Sequence, residues 1–177
     1  MEDFFCATTG NYDGVHRGHQ KVLEKVRMLA KERGQKTMVV TFDKHPMEVI
    51  CPERAPHPIL SLEERVRKLQ EKKIDEVTVL SFNREFMQQT AYDFMKNVLY
   101  EELGVRTLVI GYDNRFGKRN PEENAESYIS YGKEIGIEVI IGPRPEECGL
   151  YNGKPVCSSL IRQMILEGNM EEAKLLL

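Results

Sequence analysis

Apolar positions along this chain follow two periods. Short runs rich in β-branched and aromatic residues at 4–7, 37–42, 76–80, 106–110 and 137–141 read as five strands. Between them the apolar spacing changes to that of helices. Val22, Leu23, Val26, Leu29 and Ala30 mark a helix over 17–33, closed by Lys31, Arg33 and Gly34. Ser61-Leu62-Glu63-Glu64 is a capping-box pattern that starts a helix with Val66 and Leu69 inward. Thr90 caps a segment in which Ala91, Phe94, Met95, Val98 and Leu99 form one core stripe. Asn120 and Pro121 suit the Ncap and N1 positions of a further helix, and Asn169 opens a last one. The proline-rich stretch 51–58 is an extended loop, and Tyr151-Asn152-Gly153-Lys154 is a hairpin turn within the loop-like 143–157. Strands alternating with helices predict one α/β domain with a mostly parallel five-stranded sheet, whose ligands gather at the strands' carboxyl ends.

Composition narrows this reading. A chain of 177 residues suffices for one well-buried domain. Its formal charge of −3 gives no electrostatic case for non-specific nucleic-acid binding. There is no run of membrane-spanning length and no signal-peptide pattern. Cys6, Cys51, Cys148 and Cys157 are scattered, as expected for reduced thiols in a cytoplasmic protein.

The chemistry concentrates in Gly10-Asn11-Tyr12-Asp13-Gly14-Val15-His16-Arg17-Gly18-His19, a strand-to-helix turn. Gly10 and Gly14 are expected to take backbone angles other residues avoid, and Gly18 to let a bulky anion approach the first helical turn. Free N–H groups and the helix dipole favour phosphate there. His16 and His19 share a helix face and can donate to phosphate oxygens, and either ring can carry a proton near neutral pH. A zinc pair, a purely structural turn and a dinucleotide-binding turn are the alternatives. The G-x-G-x-x-G and P-loop patterns are both missing.

Three further segments sit where ligands collect. Phe42-Asp43-Lys44-His45-Pro46 ends the second strand, and a polar loop closed by proline is the plain alternative. Gly111-Tyr112-Asp113-Asn114-Arg115-Phe116-Gly117 ends the fourth. There Asp113 offers a carboxylate to a base, a ribose or a flavin, and Phe116 a ring for stacking. In Cys157-Ser158-Ser159-Leu160-Ile161-Arg162 a serine caps a helix and Arg162 lies one turn in, a second phosphate-suited element.

Taken in order, these motifs resemble the FAD synthetase (FMN adenylyltransferase) module of bacterial bifunctional riboflavin kinase/FAD synthetases, in the H-x-G-H nucleotidyltransferase superfamily. The match runs through Gly10–His19, Phe42-Asp43-x-His45-Pro46, Gly111-x-Asp113-x-x-Phe116-Gly117 and Ser158-Ser159-x-x-Arg162. It departs at Lys44, where the family usually has proline, and at Asn114, where it has an aromatic residue. A glycine-rich turn after Gly117 is replaced by Lys118-Arg119-Asn120-Pro121. The resemblance implies a Rossmann-like nucleotidyltransferase fold of strand order 3-2-1-4-5, and FMN and ATP as substrates with FAD and pyrophosphate as products. It makes residues 1–177 a single adenylyltransferase domain. Mg²⁺ would arrive with ATP, with no protein ligand assigned. His16, His19, Ser158 and Arg162 would act on the phosphates, and Gly10, Asn11, Asp13, Gly14, Gly18 and Ser159 would hold nucleotide. Phe42, Asp43, His45, Pro46, Asp113 and Phe116 would bind flavin or adenine. The riboflavin kinase module would be absent from this chain; a naturally single-function protein and a longer parent that carries the module are both open. A cytidylyltransferase, a pantetheine-phosphate adenylyltransferase and a non-catalytic flavin- or nucleotide-binding module are the other functions compatible with the motifs.

Overall fold

The computed structural model describes residues 4–177. Five strands, β1 (Phe5–Thr9), β2 (Lys36–Phe42), β3 (Glu76–Leu80), β4 (Val105–Ile110) and β5 (Glu138–Ile141), form one sheet of order β3-β2-β1-β4-β5. Every neighbouring pair is parallel, with Thr9 beside Val40 and Phe42 beside Leu80. The chain leaves β1 toward β2 and β3, then returns to build β4 and β5 on β1's other flank. The order therefore reverses at β1, where a crevice opens beyond the strand ends.

Alternation along the strands divides the core between two faces. Ala7, Met38, Val40, Leu108 and Ile110 face one layer with Phe94, Met95, Leu99 and Tyr128. Cys6 and Val109 face the other, under Val22, Val26, Leu29 and Ala30 of α1 (Arg17–Arg33). Gly34 ends α1 in the left-handed region, with its N–H on the Ala30 and Lys31 carbonyls. The remaining helices are α2 (Pro46–Ile50), α3 (Leu62–Glu71), α4 (Ala91–Asp93, continuing as a π-helix over Phe94–Glu102), α5 (Ala125–Ile135), α6 (Ser158–Leu166) and α7 (Met170–Leu176). A two-stranded hairpin, β6 (Leu150–Tyr151) and β7 (Lys154–Pro155), turns through Asn152 and Gly153 at φ 48° and 76°. No described helix is long and apolar enough to cross a membrane.

The structure shifts four local expectations. β1 starts at Phe5 and runs to Thr9, carrying Thr8 and Thr9 into the interior beside the turn. The stripe after Thr90 widens into π-helix, which spacing alone does not separate from α. The helix expected at Asn120 begins at Ala125 instead. Asn120 spends its side chain on the Glu122 N–H, 3.1 Å away, as a local turn. Asn124 then forms a reciprocal capping box with Ser127. On α3 the inward positions are Arg65 and Leu69, and Val66 is only half-buried.

Candidate active site

The turn after β1 is the frame of the site. Gly14 has φ +85°, as expected, but the other left-handed positions are Tyr12 at 51° and Val15 at 47°, and Gly10 is not among them. A β-branched residue at φ > 0 is strained and persists only where its surroundings over-determine it. Those surroundings are visible. Val15 is fully buried among Leu23, Val39 and Leu69, and its N–H donates to the Tyr12 carbonyl at 3.0 Å. The Tyr12 hydroxyl pairs with Thr8 Oγ1 at 2.7 Å. Gly10 serves by its lack of a side chain, since a Cβ there would meet the Tyr12 ring at 3.2 Å.

His16 is the N-cap of α1, and its Nδ1 accepts the His19 backbone N–H at 3.4 Å. The two imidazoles stack with centroids 3.7 Å apart. Burial pushes the His16 pKa down to about 4; nearby Asp13 opposes this and Arg162 adds to it. His19 is also held well below its ordinary value, by burial first and then by His16 and Arg65. Both rings are therefore neutral at pH 7, contrary to the expectation that either carries a proton there. An Nδ1 that accepts a hydrogen bond leaves His16 with its proton on Nε2. His19 Nδ1 is buried without a partner. Gly18 borders the larger cleft, and it also serves the packing of the turn. Its missing Cβ makes room for the His16 ring and the Val156 carbonyl, each 3.1 Å from where it would stand.

Asp13 is 4% exposed and joins three segments. Its Oδ1 accepts from the backbone N–H of Ile59 at 2.9 Å and of Leu60 at 3.2 Å. Its Oδ2 accepts from Arg162 Nη2 at 2.7 Å, and its carbonyl accepts from Ser158 Oγ at 2.9 Å. Arg162 Nε also donates to the His57 carbonyl at 3.0 Å. The two elements expected to bind phosphate are thus joined directly across the chain. Neither serine caps α6: its N-cap is Cys157, with no side-chain hydrogen bond, because Ser158 turns to Asp13 instead.

Two clefts flank this junction. The larger, 710 Å³, is bounded by His16, Gly18, His19, Asp113, Ser158 and Ser159, with Tyr112, Pro143 and Leu160 adding apolar surface. The other, 350 Å³, is bounded by Gly10, Asn11, Asp13, His19, His45 and Arg162, and shares Asp113, Ser158 and Ser159 with the first. A third cavity of 190 Å³ lies under the 51–60 strap, reached by Asn11, Asp13, Asp43 and His45.

Other expected residues serve the scaffold. Gly14 lies against Ile59 and Leu177. Phe42 is buried edge-on to Phe82 and Phe86. Asp43 ties the ends of β2 and β3 by accepting from the Phe82 N–H at 2.8 Å and the Ser81 hydroxyl at 3.0 Å. Pro46 is the first residue of α2, which His45 caps through Nδ1 to the Met47 N–H at 3.1 Å. Phe116 stacks on Tyr128 with centroids 4.7 Å apart and meets Phe94, so it faces none of the three cavities. Two residues outside the expected set matter here. Asn114 donates from Nδ2 to the Thr9 carbonyl, closing the end of β1 beside both larger clefts. Arg65 reaches the same end from α3, and its i, i+4 relation to the buried Leu69 is the sequence signal that marks it. Among the described residues no group of three or more His, Cys, Asp or Glu is placed to hold a metal ion.

Fold and site together define an α/β protein with a crevice, lined by His16, His19, Ser158 and Ser159, where its parallel sheet reverses direction. The FAD synthetase family profile matches residues 3–159, and the chain belongs to that family. It is 34% identical over 174 residues to a bifunctional riboflavin kinase/FMN adenylyltransferase of Buchnera aphidicola subsp. Schizaphis graminum, covering 97% of this chain and 54% of that one. The Escherichia coli K12 protein of the same description is 31% identical over 170 residues, covering 96% and 53%. The chain thus spans about half the length of these curated relatives. A solved structure described as a macrolide-efflux protein from Streptococcus pneumoniae superposes with a TM-score of 0.83 at 28% identity, over 99% of this chain and 57% of that one.

Proposed function

We propose that this chain is an FMN adenylyltransferase: it joins the AMP unit of ATP to FMN, giving FAD and pyrophosphate. The observation that carries the proposal is the direct link between the His16–His19 turn and the Ser158–Arg162 helix at Asp13, in a chain of the FAD synthetase family. A phosphate oxygen of FMN attacks the α-phosphorus of ATP. The bond from that phosphorus to the bridging oxygen breaks, and pyrophosphate leaves with its electron pair. No protein nucleophile is required, so the residues contribute position and stabilisation of charge.

His16 and His19 act as neutral N–H donors to the reacting phosphoryl oxygens. Their depressed pKa values suit hydrogen bonding without a permanent charge that would hold ATP and the transition state equally. Ser158, Ser159 and Arg162 take the departing β- and γ-phosphates, with Arg162 held in place by Asp13 and the His57 carbonyl. Asp113, shared by both larger clefts, contacts nucleotide or flavin at their junction. Mg²⁺ comes as part of the ATP substrate. Residues 1–177 act as one catalytic domain on small molecules in the cytoplasm, with FMN taken up as a substrate.

The test is incubation with Mg²⁺ and ATP plus FMN or riboflavin, followed by chromatography. FMN should yield FAD, and riboflavin should yield neither FMN nor FAD. Absence of FAD alongside turnover of CTP with a phosphoalcohol would move the chain to a sister transferase.

A further inference from the structure

Arg65 is a cation with 6% of its surface exposed, yet no carboxylate among the described residues lies within ion-pair distance of it. Its guanidinium bonds only to neutral acceptors. Nη1 donates to the Asn11 carbonyl at 2.7 Å and to Asn11 Oδ1 at 2.8 Å, and Nη2 donates to the Phe42 carbonyl. Nε has no partner. Asp13, Glu48 and Asp43 stabilise the charge only from beyond contact distance, and burial outweighs them; a cation buried at that cost persists where the group does something an apolar residue cannot. Here it bridges Asn11, two residues past the end of β1, and Phe42, the last residue of β2. The ladder between these strands ends at Thr9 and Val40, followed by the Gly10 N–H on the Val40 carbonyl. Beyond that, among the described residues the hydrogen bonds that hold the Asn11 turn toward β2 are those of Arg65 and a 3.3 Å bond from Thr41 Oγ1 to the Asn11 carbonyl, beside the packing of Tyr12 and Val15 on Val39.

We propose that Arg65 is a positioning residue for adenylyl transfer: by clamping Asn11 to the end of β2 it fixes the strained turn that aims His16 and His19 and presents Asp13 to Arg162. The planar fork is what the place demands, since three acceptors on two segments lie within reach of one rigid group. A lysine ammonium keeps the charge but cannot span both. The clamp acts next to Tyr12 and Val15, the two left-handed non-glycine residues of the turn, which a looser attachment lets relax. Relaxation moves the histidines and leaves the clefts that receive the substrates standing.

This inference rests on the adenylyltransferase reading, and the experiment separates the two. Arg65→Lys is compared with the unaltered chain for FAD formation and for the imidazole proton resonances, which are few because the chain has 4 histidines. The expected result is kcat lower by about tenfold to a hundredfold, the scale of a misplaced reacting group, with KM for ATP within about threefold. The His16 and His19 resonances should be displaced while that of exposed His57 stays. A kcat within about twofold of the unaltered chain overturns the proposal. So does a fall in kcat with unmoved His16 and His19 resonances, or a rise in KM with kcat unchanged. If the unaltered chain forms no FAD, the resonances decide alone: displaced supports the clamp, unmoved overturns it. Should Arg65→Lys fail to fold, Asn11→Ala removes one acceptor with the guanidinium intact, and the same two resonances are read.

Discussion

The buried His16 makes folding stability depend on pH in a way that can be isolated. The ordinary imidazole value is 6.5, and burial brings that of His16 to about 4. Above pH 6.5 neither folded nor unfolded chain takes the proton, and the contribution is intact. As pH falls from 6.5 toward 4 the unfolded chain takes it and the folded chain does not. Stability then declines by about 1.4 kcal/mol per pH unit, and the slope ends below pH 4, where both states are protonated. Over the whole window this amounts to about 3 kcal/mol, a large share of the ~5–15 kcal/mol typical of a domain. His19 is shifted the same way and steepens the decline. The partner for comparison is His16→Asn. Its side-chain oxygen still accepts the His19 N–H as an N-cap, while the titration is gone. Urea unfolding of both proteins from pH 8 to 4 gives two stability curves in which the carboxylates largely cancel. Their difference should be flat above pH 6.5 and fall by about 1.4 kcal/mol per unit below it. Parallel curves from pH 7 to 5 would refute the description of His16 as a neutral, desolvated ring.

The other expectations concern the reaction and the scaffold. His19→Ala should fold normally and lower adenylyl transfer by about a hundredfold or more, the loss typical of one transition-state donor, read as single-turnover FAD formation. Arg162→Lys should weaken ATP use and leave FMN affinity unchanged, because the ammonium lacks the fork that grips two phosphate oxygens; calorimetry with each substrate separates the two. Phe116→Ala should cost about 2–4 kcal/mol of stability, measured by urea unfolding, through its lost packing on Tyr128 and Phe94. A selective loss of flavin affinity with unchanged stability would return Phe116 to the binding surface.

The strands, the sheet order and the first helix were legible because each rests on strong local periodicity and on one family resemblance. The Gly10–His19 and Ser158–Arg162 segments were legible as candidates for the same reason. What the sequence concealed was how these segments spend their polar groups. Ser158 has the form of a cap, but a carbonyl 145 residues away competes for its hydroxyl and wins. Asn120-Pro121 has the form of a helix start, yet Asn124 four residues later makes the better box. Tyr12 and Val15 adopt angles their side chains disfavour, which only the surrounding packing enforces. Arg65 resembles a solvated helix charge until β1 and β2 are placed beside it. At Ser158, Val15 and Arg65 a partner distant in sequence overrode a local preference; at Asn124 one local pattern outcompeted another.

Asp13 draws its partners from opposite ends of the sequence: Ser158 is 145 residues away and Arg162 is 149. During synthesis the histidine turn leaves the ribosome early, then waits for this distant helix. At ~5–20 residues per second the wait is roughly seven to thirty seconds. The sheet pairs β1, β2 and β3 can assemble in that interval, but the junction at Asp13 cannot. On the adenylyltransferase reading proposed above, nucleotide affinity should be the last property the chain acquires, and α6 docking the moment from which ATP helps to hold the fold together.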